Sequence, residues 1–272
     1  MSELIELELK NNIAKVSLNR PDKKNALTLE MLQNLARIGE NLKNENDISC
    51  VIINGKGGTF SSGIDVTSFI DLANDQKLLH SLMAPLEGHP YNKMQKPCLI
   101  WQELSVPVIA ILEGPVFGAG LQLALGADIR ISAKNTELSI METKWGLIPD
   151  MGLTQTLPKI MNYDQALLAT IKSNLIKAEE AKDLGLVTMC CADPYKESMA
   201  LAEGLTYKSP DAIRLAKTLY QKAWNTDNTA NLKLEAFLQT QLIGTPNQME
   251  AVLANIEKRN PKFDRNVRSD AK

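Results

Sequence analysis

The sequence predicts an α/β fold, and three observations carry that expectation. Two short apolar runs, residues 50–54 (CVIIN) and 106–112 (VPVIAIL), have the length and branched content of buried strands. Each runs into a glycine-rich turn, Gly57-Gly58-Thr59-Phe60-Ser61-Ser62-Gly63-Ile64-Asp65 in the first case and Gly118-Ala119-Gly120 in the second. Beyond Pro194 the pattern is helical throughout.

The elements follow in order. Ile5, Leu7 and Leu9 alternate with Glu6 and Glu8, and Ala14, Val16 and Leu18 alternate with Lys15 and Ser17, so two strands are expected, joined in a hairpin at Asn11-Asn12. Thr28 is a plausible helix N-cap, although Met31 stands where a capping box would carry Glu or Gln. Leu29, Leu32, Leu35 and Leu42 then form a helical stripe. Residues 71–97 are the least regular segment and hold His80, His89 and Tyr91; they read either as a lid over a pocket or as an ordinary surface helix and loop. The second apolar run breaks at Glu113-Gly114-Pro115 and leads through its glycine turn into an apolar helix start at 121–126. Strands and helices continue to about residue 190, and helices are expected at 195–207, 210–225, 232–243 and 247–259. We divide the chain into a core, 1–193, and a helical region, 194–272.

Composition narrows the function. With 272 residues, 44% hydrophobic and 23% charged, the chain has the make-up of a globular domain. A formal net charge of −2 provides no global field for nucleic acid or an anionic membrane, so neither is expected as a partner. Basic residues cluster locally at Arg20, Lys23 and Lys24, and at Lys258, Arg259, Lys262 and Arg265. Cys50, Cys98, Cys190 and Cys191 form no C-x-x-C pair and no zinc-ligand spacing, so no metal is expected. The first residues are unlike a leader, no run approaches a membrane span, and the last three are not Ser-Lys-Leu; a reducing cytoplasm is the expected setting.

The chemistry lies in the turns. A strand, glycine turn and helix leave N–H groups at the helix start pointing outward with the helix dipole behind them, which stabilises an anion. Two such turns can each offer one N–H to the same oxygen. Glu142 and Asp150 follow beside Ile140, Met141, Trp145 and Leu147, an apolar setting that suits a carboxyl used for proton transfer. Other motifs fail. Gly58 and Gly63 have P-loop spacing but Ile64-Asp65 follow instead of Lys and Ser/Thr; Leu123 stands at the third glycine of a dinucleotide pattern; no G-x-S-x-G elbow exists.

An ordered set of motifs across nearly the whole chain resembles the crotonase, or enoyl-CoA hydratase/isomerase, superfamily. They are Arg20-Pro21 through Asn25-Ala26-Leu27, Phe60-Ser61-Ser62-Gly63-Ile64-Asp65, Pro107-Val108-Ile109-Ala110 with Gly118-Ala119-Gly120, Ala127-Asp128-Ile129-Arg130, Gly146-Leu147-Ile148-Pro149 with Gly152-Leu153-Thr154-Gln155, Ala178-Glu179-Glu180-Ala181 with Gly185-Leu186-Val187, and Glu257 to Phe263. The resemblance implies a crotonase-like spiral of strand–strand–helix units with a C-terminal helical trimerisation region. It implies an oxyanion site at the N–H groups of Ile64 and Ala119, and coenzyme A contacts at Lys24, Ala26, Ser62, Asp65, Lys258 and Phe263. The coenzyme A thioester is then the substrate, no separate cofactor is needed, and the chain is expected to assemble with itself as a homotrimer or hexamer.

At the catalytic positions the chain departs from the hydratases. They carry two glutamates; here the first position is Gln122 and the second Glu142. An amide orients water but exchanges no proton at neutral pH, whereas syn-hydration is best served by two carboxyls. Asp150 stands eight positions after Glu142, a pairing found in the dienoyl-CoA isomerases of the family, which however have Asp at the place of Gln122. The simpler enoyl-CoA isomerases need only the glutamate. The sequence therefore points to a double-bond isomerase using Glu142, Asp150 and Gln122, with a hydratase as the alternative. A dehalogenase or hydrolase with Asp150 as nucleophile, served by His80 or His89, and a non-catalytic acyl-CoA binder stand further back.

Overall fold

The computed structural model describes residues 4–45, 47–206, 210–224, 236, 240 and 243–259. Strands β1 (Ile5–Lys10) and β2 (Ile13–Leu18) precede helix α1 (Leu29–Lys43), strand β3 (Cys50–Gly55) and helices α2 (Val66–Asn74), α3 (Gln76–Met83) and α4 (Lys96–Leu99). Then come β4 (Val108–Leu112), β5 (Pro115–Phe117), α5 (Ala119–Leu125), β6 (Ile129–Ala133), β7 (Glu137–Ser139), α6 (Leu153–Thr156), α7 (Tyr163–Lys172), β8 (Ile176–Lys177), α8 (Ala178–Asp183) and β9 (Met189–Cys191). Helices α9 (Pro194–Thr206), α10 (Pro210–Trp224) and α11 (Pro246–Ile256) follow.

Six strands form one sheet in the order β1-β2-β3-β4-β6-β9, parallel except for the β1–β2 hairpin, and β5-β7-β8 form a second, smaller sheet. The hairpin turn is made by Asn11 and Asn12, both at positive φ (52° and 61°), a conformation asparagine tolerates in two-residue turns. Strands β3 and β4 are buried on both faces, as parallel strands must be. Their alternation divides the packing. Val51, Ile53, Val108, Ala110 and Leu112 join the main core with Phe60 and Trp101, while Cys50, Ile52, Ile109, Ile111 and Ile131 pack against Ala202 of α9. Burial pushes the Cys50 thiol up to about 12, so it behaves as a small apolar group.

Helix α1 begins where expected: the Thr28 hydroxyl accepts from Met31 N–H at 3.2 Å, and Leu32, Leu35, Ile38 and Leu42 turn inward. Residues 71–97 are more ordered than the sequence suggests. The last four of the nine residues of α2 and all of α3 fall there, because Leu72, Leu79, Leu82 and Met83 form a buried helical stripe and Asp75 caps α3 by accepting from Leu78 N–H at 2.9 Å. Of the four helices expected after Pro194, three are present within two residues of the expected bounds or shorter at an end; the 232–243 helix falls almost wholly outside the described residues. Helix α11 reaches the core at the turn carrying Glu142, where the Asn255 amide donates to Lys144 O at 2.9 Å. Among the described residues no helix is long and apolar enough to cross a membrane.

Candidate active site

The two glycine turns are built as one unit. Ser61 and Val116 form a parallel bridge, with Ser61 N–H donating to Pro115 O and Phe117 N–H to Ser61 O, both at 3.1 Å. Asn25, wholly buried, supports the first turn from below: its amide donates to Lys56 O and Thr59 O at 3.0 and 2.6 Å and accepts from Arg20 N–H at 2.8 Å. Gly118 N–H donates to Ser139 O at 3.0 Å, anchoring the second turn on β7. Gly63 (φ 101°) and Gly118 (φ 48°) occupy backbone that side chains rarely adopt. A Cβ on Gly120 would lie 2.8 Å from the Ser61 backbone oxygen, so the turns meet only because that position is glycine.

This packing aims two donors into one space. Leu27 bridges Ile64 by donating to Gly63 O and accepting from Asp65 N–H, so the Ile64 N–H is left pointing away from that bridge. Ala119 is the first residue of α5, and its N–H has no acceptor within the helix. An ideal Cβ on Gly63 would lie 4.0 Å from Ala119 N, which measures how closely the turns approach. Both residues line a cavity of about 390 Å³.

Glu142 enters that cavity from a 3-10 turn (Glu142–Trp145) and is 8% exposed. One of its oxygens, Oε1, accepts from the Gln122 amide at 2.7 Å; the other, Oε2, is buried with no partner among the described residues. Burial pushes the carboxyl above the ordinary carboxylate range, opposed by hydrogen bonds to backbone and Gln122. Gln122 Oε1 in turn accepts from Met151 N–H at 2.8 Å, which fixes the amide with its donor end on Glu142. Asp150, 6% exposed, lines the same cavity beside Met151. Much of the remaining wall is apolar, with Leu72, Met83, Met94, Met141, Trp145, Leu147 and Ile243 contributing.

The structure thus brings Gln122, Glu142, Asp150, Ile64, Ala119, Ala26, Ser62 and Asp65 to one cavity. Lys24 is exposed and off the lining; its neighbour Lys23 stands there instead, with Arg20. The Asp65 carboxylate is already engaged, pairing with Arg20 and accepting from Thr67 N–H (3.0 Å) and its hydroxyl (2.6 Å), contacts that hold it below the usual range against desolvation. Lys258 is exposed and away from the lining, and Phe263 lies outside the described residues. His80 and His89 are exposed and absent from the lining, His89 stacking on Tyr91 with centroids 4.8 Å apart. Among the described residues no group of three His, Cys, Asp or Glu could hold a metal. Leu72, Met83 and Met94 bring the 71–97 segment, expected either as a lid over a pocket or as a surface helix and loop, onto the cavity wall.

Known proteins share the sequence pattern and the fold. Residues 8–266 match the enoyl-CoA hydratase/isomerase family model, and the chain belongs to that family, the crotonase superfamily. It is 34% identical to YngF of Bacillus subtilis, named as a candidate enoyl-CoA hydratase/isomerase, over 95% of this chain and 97% of that one. It is 27% identical to the peroxisomal Delta(3,5)-Delta(2,4)-dienoyl-CoA isomerase of Arabidopsis thaliana over 96% of each. The relatives include hydratases as well as isomerases. The crystal structure of an enoyl-CoA hydratase/isomerase from Mycobacterium paratuberculosis superposes with a TM-score of 0.84, at 24% identity, covering 93% of this chain and 98% of that one, so the fold is the crotonase fold. Membership implies an enzyme acting on an acyl-CoA substrate.

Proposed function

We propose that the protein shifts a carbon–carbon double bond of an enoyl-CoA or dienoyl-CoA. The observation that carries this reading is the Gln122–Glu142 hydrogen bond: a neutral amide orients the single buried glutamate at the place where a hydratase carries a second carboxyl. The thioester oxygen accepts from Ile64 and Ala119 N–H. Glu142 Oε2 takes a proton from the acyl chain, and negative charge moves onto the thioester oxygen as a dienolate. The protonated Glu142, or Asp150, then returns a proton at the other end of the conjugated system. Each such backbone donor commonly contributes about 2.7–4 kcal/mol. Burial serves this step, because a carboxyl raised above its ordinary range is the stronger base once ionised.

Hydration is the second reading. Against it, one Gln122 lone pair is taken by Met151 N–H and one amide N–H by Glu142, and the amide has no proton to exchange with an attacking water. A dehalogenase would need a histidine near Asp150, and neither histidine lines the cavity. The pantetheine and nucleotide would run past Ala26, Ser62 and Asp65, with Lys23, Lys24, Lys258 and Phe263 serving the phosphates and adenine. Exposed Leu215, Leu253 and Ile256 on α10 and α11 support assembly into a homotrimer or hexamer. No disulfide joins the four cysteines, which suits a reducing cytoplasm. Replacing Glu142 with Gln should lower isomerase turnover on the order of 10²–10⁴-fold. Near-normal turnover in that variant would sink the assignment.

A further inference from the structure

A second cavity, about 580 Å³, opens between α10 and the edge of the core, and it shares no lining residue with the first. Its size is that of a small-molecule site. Most of its wall is aliphatic or aromatic, with Pro107, Leu125, Ile129, Ile160, Ile213 and Tyr220 contributing. Its charge is one-sided: Arg130, Lys159 and Lys217 face one carboxylate, Asp128.

The cations are not equivalent. Lys217, deeply buried, spends its three N–H groups on Asp128 Oδ2 (2.7 Å), Val106 O (2.8 Å) and Trp101 O (3.2 Å). That pair is internally neutral. Arg130, 7% exposed, donates to Leu186 O and Ala127 O at 2.8 and 2.7 Å, using two of its five N–H groups and no carboxylate. Lys159 is half-buried with no carboxylate in ion-pair range among the described residues, and burial lowers its pKa from the usual lysine value. Asp128 acts on it only from beyond ion-pair range and is already paired with Lys217, and a partly desolvated ammonium so placed gains when something anionic joins it.

We propose that this cavity binds an aliphatic monocarboxylate, its chain against the apolar wall and its carboxylate on Lys159 and Arg130. An amphipathic anion satisfies both halves of the lining; inorganic phosphate satisfies one, and a neutral alcohol the other. Isothermal titration of the full chain with decanoate, decanol and inorganic phosphate tests this. Decanoate should bind more tightly than either. Lys159→Met should weaken it at least about tenfold, the loss expected for a charged hydrogen bond. Ala216→Trp, a substitution at an exposed helix position on the cavity wall, should abolish binding. Met94→Trp, which narrows the other cavity, should leave it intact. The proposal is overturned if no binding is seen, if binding survives both Lys159→Met and Ala216→Trp, if Met94→Trp removes it, or if decanol or phosphate binds as tightly.

Discussion

Substituting Gln122 with Met keeps the side-chain volume and removes both of its hydrogen bonds. Glu142 loses its donor at 2.7 Å, and Met151 N–H loses its acceptor at 2.8 Å. A hydrogen bond to a charged group contributes roughly 1.5–3 kcal/mol. Losing that bond should therefore raise the Glu142 carboxyl further than burial already raises it. If Glu142 is the base, it must be ionised to act. The acidic limb of kcat/KM for isomerisation should then move to higher pH, with activity below the limb reduced about 10–100-fold, the factor to which that free energy corresponds. At pH well above the limb much of the rate should return. The assay is kcat/KM against a 3-enoyl-CoA from pH 5 to 9, with Tm measured alongside because the orphaned Met151 N–H costs about 1–3 kcal/mol of stability. A limb that stays in place while the protein remains folded would refute the role given to Gln122.

Four other outcomes are expected. Glu142→Gln should raise Tm, and more at pH 8 than at pH 5: a buried carboxyl whose folded pKa is raised contributes stability while protonated and loses it as pH rises through that pKa. A Tm difference that shrinks with rising pH would contradict this. Gly120→Ala should cut kcat more than it raises KM, since its Cβ would meet Ser61 at 2.8 Å and part the two donor turns; unchanged kinetics would mean that their approach is not needed. Lys217→Met should cost about 2–4 kcal/mol by calorimetry, less than a fully buried pair because the Asp128 side chain is 27% exposed. Gln122→Glu should give two carboxyls sharing one proton and add hydration of crotonyl-CoA; failure to hydrate would show that the second carboxyl is not the missing group.

The fold was legible wherever a period was strong. Residues 50–54 and 106–112 read as buried strands because nothing but apolar side chains could face both layers, and α1 read correctly from its stripe. Helices α2 and α3 were obscured because Asp75 interrupts one apolar stripe between two short helices. At the site, the glycine turns and Glu142 were visible as motifs. Less visible was what Gln122 does, because the partner of an amide is set by a contact spanning 20 residues of chain and by the backbone of Met151. Lys23 rather than Lys24 lines the cavity because Lys24 takes left-handed backbone (φ 49°), where its carbonyl accepts from Ser62 N–H. Spacing alone does not reveal which of two adjacent lysines turns inward.

The central claim is that one amide-held glutamate moves a proton along the acyl chain rather than adding water. Its most direct measurement presents the purified protein with trans-3-hexenoyl-CoA, a 3,5-dienoyl-CoA and crotonyl-CoA at equal concentrations and compares initial rates. The account predicts that conversion of a 3-enoyl or 3,5-dienoyl substrate to a conjugated product outruns crotonyl-CoA hydration and collapses in Glu142→Gln. Rapid hydration of crotonyl-CoA with no positional isomerisation would contradict it.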